Sequence, residues 1–114
     1  MRRPLTESEK MVVSRMAETL PEAQRSQITD DLAHATAEHL NEDGSLIRFE
    51  IEGYQRLART GRTVSVDAMA TDRDGAHLNV ILFTDGSGRL YELEIVRFES
   101  GNVVALDWTT LRFY

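Results

Sequence analysis

Apolar positions recur at two periods along the chain, and the change of period divides it. From Thr6 onward, Val12 (or Val13), Met16 and Leu20 follow helical spacing. Thr6 and Glu9 have the spacing of a capping box, in which each side chain satisfies the other's backbone amide. Pro21 ends that helix, because its ring forbids continuation and biases Leu20 towards an extended conformation. The same proline suits the first position of a second helix. That helix is expected to reach about Leu40, with Ile28, Leu32, Ala35 and His39 on one stripe. At Asn41–Gly44 the period drops to two, and Ile47, Phe49 and Ile51 alternate with Arg48 and Glu50. Residues 53–61 read as a polar connection. Further strands are expected over Thr63–Thr71, Ala76–Thr84, Leu90–Phe98 and Asn102–Trp108. Asp74–Gly75 reads as a two-residue hairpin turn, and DGSG and ESGN as two more turns. Turns this short demand antiparallel neighbours. The expected fold class is α+β: two N-terminal helices (1–43) packed on one face of a four- to five-stranded antiparallel meander (44–114), in a single domain.

Covering one face of such a sheet leaves the other face to water. Ile47, Phe49, Val64, Val66, Leu78, Val80, Leu82, Tyr91, Leu93 and Ile95 are assigned to the helix side. The opposite face then carries Arg48, Glu50, Asp67, Met69, Asn79, Ile81, Phe83, Glu92, Glu94, Val96 and Phe98. This is an apolar patch rimmed by carboxylates, a pattern that marks interaction sites. The other arrangement open to the sequence folds the Trp108–Tyr114 tail over Ile81 and Phe83.

The charge balance sharpens this picture. Thirteen basic and nineteen acidic residues give −6, with −4 in residues 1–44 and −2 in residues 45–114. Arg56, Arg59 and Arg62 cluster in an acid-free stretch, so the strands around it are more acidic than the total implies. A negative field repels nucleic acid and anionic membrane and attracts a cationic protein. With no cysteine there is no disulfide framework or thiolate nucleophile, and no apolar run approaches the roughly 18 residues of a membrane span. The expected location is the cytoplasm.

Catalytic and metal-binding constellations are thin. His34 and Glu38 share a helix face at i, i+4, but a metal needs three or four converging ligands. His39 sits in the apolar stripe as a structural histidine, and His77 has no nucleophile motif beside it. Asp72, Asp74 and Gly75 open like a calcium loop, yet its twelfth position is Phe83 where glutamate is required. DGSG lacks the lysine of a phosphate loop. Glu92 and Glu94 lack the enclosing cleft of a glycosidase pair, and three arginines without interleaved aromatics are a weak nucleic-acid signal. Neither an enzyme nor a cofactor is expected.

The segments DGSLIRF and TDRDGAHLNVILFTDGSGRLYELEIVRF carry a resemblance. They resemble an uncharacterised family of small bacterial α+β domains, with Asp43–Gly44 before the first strand, Asp72, Asp74 and Gly75 at a hairpin, and Gly88, Leu90, Tyr91, Glu92, Leu93, Glu94 and Ile95 in a strand. The chain also resembles an immunity protein of a contact-dependent growth inhibition system. That resemblance implies a small cytosolic inhibitor of a cognate toxin domain, expected to be basic and a nuclease. The expected contacts are Met69, Ile81, Phe83 and Phe98 as anchors with Glu50, Asp67, Glu92 and Glu94 as rim, and Asp72, Asp74 and Asp85 on the turns as a second choice. The weighed alternatives are a regulatory protein-binding domain and, third, a small enzyme or ligand binder using His77 or the gap between helices and sheet.

Overall fold

The computed structural model describes residues 2–57 and 59–113. It is α+β, with two helices and one seven-stranded antiparallel sheet. Its elements are β1 (Arg3–Pro4), α1 (Glu7–Ala17), α2 (Glu22–Ala33), β2 (Ala35–His39), β3 (Leu46–Ile51), β4 (Arg62–Asp72), β5 (His77–Asp85), β6 (Leu90–Arg97) and β7 (Leu106–Phe113).

The capping box is formed: the Glu9 amide donates to Thr6 Oγ1 at 3.1 Å, and the Thr6 amide to Glu9 Oε1 at 2.8 Å. Both Val12 and Val13 are buried beside Met16 and Ala17, so α1 turns a wider apolar face inward than one stripe requires. Pro21 caps α2 from just outside it, one position before the expected one.

The second helix ends seven residues short of Leu40. His34 leaves the helical region, and Ala35–His39 becomes β2, paired with β3 from Ala35↔Ile51 to His39↔Ile47. The sequence ATAEH fits a helical stripe and an alternation equally well. Tertiary pairing decides between them, because a continued helix would leave one edge of β3 unpaired.

The four or five expected strands are therefore seven, and the sheet is not a simple meander. Its order is β1-β2-β3-β6-β5-β4-β7, so β1 to β3 and β4 to β6 each follow one another in space as in sequence, and the two runs meet at β3 and β6. β3 lies beside β6, and the strand expected at 102–108 lies at 106–113, against the far edge of β4. The expected two-residue turn at Asp74–Gly75 is a longer one. Asp72 N bonds Ala76 O, Gly75 N bonds Asp72 O, and only Gly75 takes positive φ (+93°), whereas a two-residue I′ turn needs it at both central positions. Asp85 to Arg89 repeats this geometry with Gly88 at φ +78°.

Burial follows the register. Ala68↔Val80↔Ile95 and Leu82↔Leu93↔Ile47 form cross-strand rows on one face, and all six side chains are buried. Val12, Val13, Met16 and Ala17 of α1 and Ile28 of α2 belong to the same cluster. Two bulges correct the face assignment. An extra residue, Ser65, between Val64 and Val66 sends Val64 to the other face opposite Phe83, where it is 55% exposed. Tyr91 is the extra residue in β6, and it stacks under the guanidinium groups of Arg48 and Arg56 instead of entering the core.

Candidate interaction surface

The face opposite the core is built from the alternate residues of β2 to β7. The register places Val64, Phe83, Glu92 and Arg48 in one row, Asp67, Ile81, Glu94 and Leu46 in the next, and Arg112, Met69, Asn79 and Val96 in a third. Phe98 extends β6 past its end, its amide donating to His77 O at 3.1 Å, and is 60% exposed. The tail does not fold over this face. Residues 106–113 continue the sheet beside β4, and Trp108 packs against the core cluster; Tyr114 lies outside the described residues.

Charge on this face is more balanced than the sequence suggests. Glu92, 4% exposed, takes Arg48 at 2.6 Å and Arg62 at 3.2 Å, and Arg62 also reaches Glu94 at 3.3 Å. The carboxylate of Glu92 raises the pKa of the Arg48 guanidinium. Arg62 lies 4.0 Å from the centroid of the Phe83 ring, and this lid leaves Phe83 only 6% exposed. Asp67 accepts a hydrogen bond from Asn79.

The expected site residues therefore separate into four groups. Met69 and Ile81 are half-buried and Phe98 is exposed on the open face, with Asp67 and Glu94 on either side of Ile81, whereas Glu50 lies apart from them on β3 opposite Thr36. Phe83 and Glu92 lie on that face beneath their arginines, not at its surface. Asp72 and Asp85 are turn residues whose side chains point inward, where they anchor the protein's own loops. Asp72 accepts the amides of Arg73, Val104 and Ala105 and an Arg97 Nη1 at 2.7 Å. Burial alone would raise its pKa, but these donors outweigh that cost and hold it below the usual carboxylate range. Asp85 likewise accepts from Tyr54, Arg56 and the amides of Ser87 and Arg89, and its pKa is depressed despite burial. Asp74 is at the surface, held bidentately by Arg97.

Val64 and Leu46 join the open face without having been expected there. The bulge at Ser65 leaves no local signature in the sequence, whereas Leu46 could have been found by extending the alternation of β3 by one residue. An open cleft of about 430 Å³ lies at the other side of the sheet, in the gap between α1 and the sheet that the third reading named, without His77 among its lining residues. Val12, Ile47, Leu93, Ile95, Val103 and Leu106 line it, with Arg3, Glu9 and His39 at its rim. No group of three or more histidine, aspartate or glutamate side chains among the described residues is arranged to hold a metal ion. No helix among them is long and apolar enough to cross a membrane.

A family model described as a domain of unknown function, DUF6984, matches residues 2–107, which takes in both helices and the strands through the start of β7. The chain belongs to the DUF6984 family. The match spans both helices and β1 to β6 in full. No curated protein and no solved structure matches the chain.

Proposed function

We propose that this DUF6984 member is a non-catalytic protein-binding module, an immunity-type inhibitor that docks a basic toxin domain on its open sheet face. In this reading the helical pair covers one face of the sheet as a second layer and leaves the other for the partner. The observation that carries it is the apolar diagonal from Val64 through Ile81 and Val96 to Phe98. Val64, Val96 and Phe98 are 55%, 37% and 60% exposed. Strand spacing of about 4.8 Å and about 6.8 Å for each pair of residues make that diagonal roughly 20 Å long. It lies on a molecule of net charge −6, beside Asp67 and Glu94. An apolar strip of this length accommodates a partner's apolar ridge, and the flanking carboxylates favour lysine or arginine at its margins. Met69, Ile81 and Phe98 are the expected anchors that remain, Val64 and Val96 are added anchors, and Asp67 and Glu94 form the rim. The partner is a protein, not nucleic acid or membrane, and the site of action is the cytoplasm.

The test is co-expression with the C-terminal domain of a toxin encoded beside this chain's gene. Cell survival and a stable one-to-one complex are expected. Toxicity undiminished by the chain, with no complex, contradicts the immunity reading. The cleft beside Arg3, Glu9 and His39 favours a second reading, a small-ligand binder. A ligand whose binding is abolished by filling that cleft with Val103→Trp, while toxin capture is absent, would select it.

A further inference from the structure

Arg3 sits where three elements meet, and every hydrogen on its two terminal nitrogens has a partner. Nη1 donates to Glu9 Oε1 at 2.8 Å and to Pro4 O at 3.0 Å. Nη2 donates to Glu9 Oε2 at 2.7 Å and faces His39 Nε2 at 2.6 Å. A guanidinium offers no acceptor, so His39 Nε2 must supply a lone pair, and the ring in this arrangement is neutral with its hydrogen on Nδ1. The exposed ring lies beside Gly44, where a Cβ would stand 3.2 Å from His39 Cε1. The arginine so held helps secure β1, which pairs with β2 through Arg3↔Ala37 and Pro4↔Thr36.

We propose that His39 makes this latch pH-sensitive, so that acidification exchanges Arg3 for protonated His39 as the partner of Glu9 and releases β1 from the edge of β2. Protonation of Nε2 removes the acceptor and sets two cationic donors against each other 2.6 Å apart. The charged groups around the ring are Arg3 on β1, Glu9 on α1 and Asp43 in the β2–β3 turn, and Asp43 lines the same cleft. Both carboxylates favour an imidazolium and only Arg3 opposes it, so departure of Arg3 resolves the conflict while Glu9 keeps a cation. Imidazole changes charge between pH 5 and 8, where glutamate and arginine do not. Release exposes the Thr36–Ala37 part of the outer edge of β2, next to the cleft.

Residue-resolved amide exchange of the full chain at pH 7.5 and 5.0, corrected for the intrinsic pH dependence, tests this. In wild type, protection of the β2 amides that turn towards β1 is expected to fall about tenfold or more, the loss of one charge-assisted hydrogen bond. Amides in β5 should keep their protection, which separates release of β1 from global unfolding. His39→Gln retains an acceptor and cannot charge, so its β2 protection should stay level across the two pH values. Unchanged β2 protection in wild type, or an equal fall in His39→Gln, overturns the proposal.

Discussion

Asp31, with 0% exposure, holds the Arg89 fork through both oxygens and also accepts the amide of Leu90 at 3.1 Å, which ties α2 to the start of β6. Removing one partner of such a pair strands the other. Asp31→Ala is expected to cost about 3 kcal/mol in urea unfolding. Asp72 and Asp85 act in the same way for the hairpins, and their depressed pKa values have a thermodynamic consequence. Each is lower in the folded chain than in the unfolded one, so each contributes stability that is complete above the ordinary carboxylate range. That contribution is lost as pH falls through the folded values, from about pH 5 towards pH 1. Acid titration followed by circular dichroism should show this loss, and Asp72→Asn should flatten it. At Gly44 the constraint is conformational: φ is +71° and the His39 ring is in the way of a Cβ. Gly44→Ala should cost about 1–3 kcal/mol, measured by the same unfolding. The sequence marked Asp72, Asp74 and Asp85 as turn residues but could not say which carboxylates point inward. Their arginine partners lie at 97 and 56, and one aspartate's loop amides lie at 104 and 105, and no local pattern links these positions.

Among the elements, α1 was legible from its capping box and its valines, and β3 to β6 from alternation. What was hidden depended on contacts between distant segments. The stretch Ala35–His39 satisfies both periods, so the availability of β3's edge chose strand over helix. Alternation also assumes one residue per pleat, and the bulges at Ser65 and Tyr91 break that assumption at two strand ends. The bulge gives a sharp contrast between neighbours on β4. Val64→Glu should change unfolding free energy by no more than about 0.5 kcal/mol, because the side chain already faces water. Val66→Glu, two residues on and 6% exposed, should cost about 3 kcal/mol or more by burying a charge.

For the whole molecule, a net charge of −6 and an uncovered sheet face together define how a partner would arrive and where it would settle. The arginines at 48 and 62 neutralise part of the face, so in the proposed docking long-range attraction would come from the chain's total charge and adhesion from the apolar diagonal. Capture of a basic toxin domain should therefore slow as ionic strength rises, while the dissociation rate changes little. The most direct measurement is the affinity of that toxin domain for Val96→Glu/Phe98→Glu, with Arg25→Glu on exposed α2 as the control. The double variant should retain its unfolding midpoint and bind roughly a hundredfold more weakly, with the control unchanged. Equal affinity of the double variant and the unaltered chain would contradict docking on the open face.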